Sequence, residues 1–117
     1  MRVFFCVVAA AAFSVSAASA QDDVMASRYG NTTVVKTGSG HEVHTYYNAD
    51  HTFTGDVVDV GFKLKGTWKV DGGTLCLTYD PPPPGMTNPV CQPVVDHKVG
   101  DSWTTGDNSA TLVAGLQ

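Results

Sequence analysis

The sequence predicts an all-β protein: a small antiparallel up-and-down barrel or strongly coiled sheet, with a β-sandwich as the alternative. Three observations carry that reading. From Val58 to Val70, Val58, Val60, Phe62, Leu64, Trp68 and Val70 take even positions, while Asp59, Lys63, Lys65, Thr67 and Lys69 take odd ones. Period two over that distance marks strand with one buried face. Thr, Val, Tyr and Gly dominate elsewhere, turn residues recur every few positions, and no window sustains a period near 3.6. A meander this short buries its apolar face best by curling on itself, which favours a barrel over a sandwich.

The chain has 117 residues. Residues 1–20 read as a secretory signal, with Arg2, an apolar run from Val3 to Phe13 and an A-x-A site at Ala18-Ser19-Ala20. A membrane span needs about 20 apolar residues, and this run is shorter. One domain, residues 21–117, is expected to follow, exported to the periplasm or secreted. Cys6 lacks the small-residue spacing of a lipoprotein site, so no membrane anchor is expected. From Gln21 on, six basic residues face eleven acidic ones, a net charge near −5. An acidic chain without a basic cluster is a poor ligand for nucleic acid or an anionic membrane, because phosphate neutralisation supplies most non-specific affinity.

Gln21 to Tyr29 is short and mixed, one helical turn or loose. Thr32 to Thr37 is the first strand and Glu42 to Tyr47 the second. Asn48-Ala49-Asp50-His51 turns the chain and Thr52 starts the return, with His51 in the left-handed position that glycine usually takes. Gly61 and Gly66 mark a turn, bulge or bend in the next strand. Asp71-Gly72 reads as a type I′ hairpin, which would set Trp68 opposite Leu75, Gly66 opposite Leu77 and Leu64 opposite Tyr79. Cys76 then points outward. In an oxidising compartment Cys76 and Cys91 read as a structural disulfide. Pro81 to Pro84, Pro89 and Pro93 exclude central strand and favour an extended loop. Val94-Val95 and Val99 suggest a short strand or two, Ser102 to Thr105 another, and Ala110 to Ala114 the last.

Tyr47-Asn48-Ala49-Asp50-His51-Thr52-Phe53, then Gly66 to Cys76, then Cys91, resemble a group of small secreted bacterial proteins of uncharacterised function with a lipocalin-like, or calycin-like, barrel. Their pattern is an aromatic-x-x-D-G-T-aromatic hairpin, a G-x-W strand, an L-C strand and a second cysteine. This chain departs from it at His51. The resemblance implies a barrel and an exported protein, and no reaction.

Four histidines could carry chemistry. His41 and His44 are three apart and point to opposite faces of a strand. Neither H-x-H nor H-E-x-x-H occurs, so neither metal nor cofactor is expected. Pairing through the 48–52 hairpin places His44 opposite Asp56, with Tyr46 facing Thr54. A carboxylate fixes a histidine's tautomer and favours its cation. His44, Asp56 and Tyr46 are therefore the candidate catalytic set of a cofactor-independent isomerase, cyclase or lyase working in a barrel mouth. Trp103, Tyr79 and His97 form the candidate ligand-binding set, because aromatic groups near a barrel mouth make a platform for a small apolar or aromatic molecule. No cysteine is free to act and no G-x-S-x-G occurs. The favoured function is therefore a small-barrel binding protein. Its candidate partners are that ligand, an envelope protein docking on the proline loop, and a second copy pairing through a sheet edge.

Overall fold

The computed structural model describes residues 23–117. The segment read as a signal, with Cys6, lies outside the described residues. A 3-10 helix, Asp23–Arg28, leads into β1 (Thr32–Lys36), β2 (Glu42–Tyr47), β3 (Thr52–Val57), β4 (Phe62–Asp71), β5 (Thr74–Tyr79), β6 (Val90–Pro93), β7 (Ser102–Thr105) and β8 (Asn108–Val113). All eight strands form one sheet, ordered β6-β5-β4-β3-β2-β1-β8-β7, with every pairing antiparallel. The sheet coils until its edge strands β6 and β7 line opposite sides of one cavity, a nearly closed, lipocalin-like up-and-down barrel.

The hairpins follow turn chemistry, with two corrections. His51 does take the left-handed conformation, φ 71°. In the β4–β5 hairpin the two-residue loop is Gly72-Gly73, at φ 57° and 79°, and not Asp71-Gly72. A type I′ turn needs positive φ at both central residues, and two glycines supply it without steric cost. The register therefore moves by two: Trp68 faces Leu77, Val70 faces Leu75 and Gly66 faces Tyr79. The expected Trp68–Leu75 pairing is absent from that ladder. A two-residue shift keeps every side chain on its face, so the inward set survives.

The second correction concerns Val58 to Gly61, which form the β3–β4 turn and not the start of a strand. Val58 and Val60 are 45% and 61% exposed. Their even numbering continues the alternation arithmetically, but they lie beyond the sheet, where no layer covers them. Gly66 is required by close approach. A Cβ there would sit 2.0 Å from the Thr78 carbonyl oxygen and 2.9 Å from the Phe53 ring.

Met25, Tyr47, Phe53, Trp68, Val70, Leu75, Leu77 and Val94 form the core. It occupies the end of the barrel that the 3-10 helix plugs. Trp68 Nε1 donates to the Asn48 carbonyl at 3.0 Å, and its ring stacks on His51 at 4.2 Å with 11° between planes. That stack is a physical reason for a histidine where a glycine would turn more easily. Leu64, read as core, is only half-buried and faces the other end of the barrel.

Cys76 and Cys91 are disulfide-bonded and directly paired across β5 and β6. The proline-rich segment reaches β6 through Asn88, whose amide accepts from the Tyr79 N–H at 2.8 Å and donates to the Tyr79 carbonyl at 2.7 Å. One side chain thus stands in for a strand partner. β6 contains Pro93 and is an edge strand, where a missing donor costs nothing. Val94, Val95 and Val99 add no strand; residues 94–99 cross from β6 to β7 as irregular chain. The 3-10 helix fixes that crossing: Ser27 Oγ donates to the His97 carbonyl, and Arg28 Nη2 donates to the Val95 carbonyl at 3.4 Å.

Candidate functional site

Alternation along each strand aims one set of side chains into the barrel. Thr33 and Val35 from β1, Val43 and Thr45 from β2, Leu64 from β4, and Leu77 and Tyr79 from β5 do not fill it. Among the described residues, two of the cavities that remain measure about 330 Å³ and 480 Å³. The smaller lies at the seam between β6 and β7, toward the plugged end, with walls that include Arg28, Thr33, Leu75, Val94, His97 and Trp103. The larger reaches the mouth, where Val57, Phe62, Pro83, Pro84 and Met86 surround it. Val35, Tyr47, Gln92 and Asn108 belong to both, so the cavities adjoin inside one barrel. Each is of a size that ligand sites commonly have, mostly apolar with a few polar groups.

His97 lies face to face with Trp103, ring centroids 3.6 Å apart and planes within 6°. Burial, followed by the nearby Arg28 cation, holds the His97 imidazole below its ordinary pKa, against a smaller opposing pull from Asp101. His97 Nδ1 is 3.7 Å from Asp101 Oδ2. Tyr47 is 5% exposed, and burial pushes its hydroxyl well above the ordinary tyrosine range. It is a proton-bearing hydrogen-bonding group at any working pH. Tyr79 is raised by burial as well and packs edge-on to Phe53 at 5.2 Å.

Arg28 is the side chain that sequence reasoning passed over. It is 4% exposed, and burial lowers its pKa despite favourable fields from Tyr47 and Asp96. Its Nη1 donates to the Val24 carbonyl at 2.7 Å, and its guanidinium carbon lies 5.4 Å from the centre of the Trp103 ring. A signal was present: Arg28 is the only arginine after residue 20 and sits beside the apolar Val24, Met25 and Tyr29. Thr33, Gln92 and Asn108, also on the cavity walls, carried no such signal, because their inward direction depends on register.

The candidate catalytic residues are placed elsewhere. His44 does pair with Asp56, and Tyr46 with Thr54. Yet β2 buries Thr45 and Tyr47, so His44 and Tyr46 lie on the outer face of the barrel and line neither cavity. Neighbours on that face take the expected partners. His44 Nε2 is 2.8 Å from Glu42 Oε2, and Asp56 Oδ1 is 2.8 Å from Lys63 Nζ. The Tyr46 hydroxyl donates to the Gln117 carbonyl. His41 bonds Asp59 at 2.7 Å, and with the Glu42 N–H it holds that exposed carboxyl below the ordinary range. These are cross-strand and turn ties. The ligand-binding candidates are on the inner walls: Trp103 and His97 in the smaller cavity, Tyr79 in the larger. Trp103 offers little free platform, since His97 covers one face. Among the described residues no three His, Cys, Asp or Glu side chains gather as metal ligands.

No protein-family model, curated protein or solved structure matches this chain.

Proposed function

We propose that this protein binds a small, largely apolar molecule inside its barrel. The observation that carries the reading is the pair of adjoining cavities on the inner face, with apolar walls and few polar groups. A barrel of eight strands has room for packed side chains or for one small ligand. Small and polar residues at inward positions, Thr33, Val35, Val43, Thr45 and Gly55, favour the second case. The exposed Phe62 and Met86 at the mouth, 46% and 40% accessible, suit an apolar molecule's entry. Export of the chain, read from its first 20 residues, would make the ligand an extracytoplasmic one. Neither the histidine on the outer face nor its neighbours contribute to this function.

The test is titration with N-phenyl-1-naphthylamine, a neutral fluorophore that brightens in apolar surroundings. Saturable binding at one equivalent is expected. Val35→Trp, which fills the wall shared by both cavities, should abolish it, and Val43→Trp should weaken it by filling only the larger. Absence of saturable binding, or full binding in both folded variants, overturns the proposal.

A further inference from the structure

We propose that the ligand carries one acidic head group, a carboxylate, which Arg28 holds in the cavity at the seam while the apolar body extends toward the mouth. This rests on the ligand-binding reading above and adds to it a chemical class and an orientation.

The first observation is the cation itself. The chain is acidic, and its five lysines after residue 20 are all exposed. Arg28 alone is buried, on the wall of the smaller cavity. A buried charge is costly unless paired. A guanidinium has five N–H donors in a fork matched to a carboxylate. Here the nitrogens Nη1 and Nη2 each reach a neutral backbone carbonyl, the second at a long 3.4 Å. Among the described residues no carboxylate lies within ion-pairing distance of it. Asp96, which acts on it through space, is an exposed loop residue.

The second observation is independent. Thr33 is a wall residue of the same cavity, and its buried Oγ1 has no hydrogen-bond partner within the described protein. Buried hydroxyls without partners are rare in folded chains and need an explanation. Rotation of the Thr33 side chain toward the cavity would let a carboxylate seated on Arg28 accept from this hydroxyl. Tyr47, whose hydroxyl stays protonated, adds another polar group on the same wall.

Charge counting selects the class. His97, the other basic group of this cavity, is held toward its neutral form by burial and by Arg28, although Asp101 at 3.7 Å pulls the other way. The cavity thus presents one full positive charge. That matches a monoanion better than a phosphate dianion. The apolar direction is toward the larger cavity, where valines, leucines, Met86 and two prolines make the walls.

The experiment compares decanoate with decanol, equal in chain and different in head group, by displacement of N-phenyl-1-naphthylamine from the oxidised protein at pH 8. Decanoate should bind at least tenfold more tightly. Arg28→Met should bring the ratio of the two affinities close to one, a loss of roughly 10- to 100-fold in preference, as for a buried charged hydrogen bond. Reading the ratio within each variant cancels any general loss of affinity. Thr33→Val should lower the ratio by roughly threefold, as for a neutral hydrogen bond, and serves where Arg28→Met does not fold. In the wild type, the carboxyl carbon of labelled decanoate should titrate below the free acid, because a guanidinium favours the anion. Equal affinity for acid and alcohol, a ratio unmoved by the substitutions, or a carboxyl titrating at or above its free value overturns the proposal. If the fluorophore binds and the acid shows no preference, the head group falls and the binding reading stands. If the fluorophore itself does not bind, the binding reading falls.

Discussion

The two ends of this barrel are built by the same strands on the same alternation, yet one is closed over a packed core and the other stands open. At the plugged end Met25, Phe53, Trp68 and Leu75 are at most 2% exposed, and the 3-10 helix with the crossing segment 94–98 covers them. At the mouth Leu64, Val57 and Phe62 continue the apolar face, and among the described residues Pro83, Pro84 and Met86 border it at the rim without filling the cavity. Alternation says which side chains point inward. Whether they meet one another or leave space depends on what plugs the end. Stability should therefore concentrate at the helix end, and binding at the mouth and seam.

Substitutions at matched positions would test that division. Trp68→Ala should cost about 3–5 kcal/mol, the usual range for removing a buried large aromatic side chain. Phe62→Ala, at the mouth, should cost under about 1 kcal/mol. Urea unfolding followed by circular dichroism separates the two, and equal losses would contradict a stability centred on the plugged end. Removing the disulfide by Cys76→Ser with Cys91→Ser should cost about 3 kcal/mol, given a loop of 15 residues. It should also loosen β6, and so weaken fluorophore binding, since β6 supplies cavity wall; unchanged unfolding midpoints would break this expectation.

Glycines inside the sheet give a finer comparison. Gly66→Ala brings a methyl 2.0 Å from a backbone oxygen of the neighbouring strand and should cost about 3 kcal/mol. Gly55→Ala meets the His44 carbonyl oxygen at 3.3 Å and Leu64 Cβ at 3.5 Å, so a slight shift accommodates it. Its cost should stay below about 1 kcal/mol, visible as a small shift in midpoint.

The smallest effect is electrostatic and lies at the seam. His97 has a folded-state pKa below its unfolded value, because burial and Arg28 disfavour its cation. The folded protein then binds fewer protons than the unfolded chain. Stability from this group is present above about pH 6.5 and is lost as pH falls through the lowered folded value. His97→Gln should flatten the decline in melting temperature between pH 7 and pH 5. Tyr47 acts in the opposite direction at the other extreme. Its raised pKa contributes stability below about pH 10 that is lost as pH rises further. Tyr47→Phe should remove that alkaline loss.

What the sequence determined by itself was local. Alternation within β4 and β5 named the inward residues, turn chemistry placed the hairpins, and the hairpin at 48–51 set His44 against Asp56 and put His51 at positive φ. Those features depend on neighbours a few residues away, so they are legible in a string. The β4–β5 register was missed by two because Asp71-Gly72 and Gly72-Gly73 both satisfy turn preferences. Only the relative cost of positive φ at an aspartate and at a glycine separates them. The tertiary structure decided the rest. It ended the apolar run at Phe62, because Val58 and Val60 lie past the last ladder. It turned His44 and Tyr46 outward, where Glu42, Lys63 and the C-terminus hold them and their neighbours. It brought Arg28 from before the first strand, Thr33 from β1 and His97 from the crossing segment onto one cavity wall. Those residues are up to 69 positions apart, and no periodicity links them. Their meeting follows from closure of the β1–β8 pair and from a helix too short to be seen as periodic, plugging one end and leaving the other open.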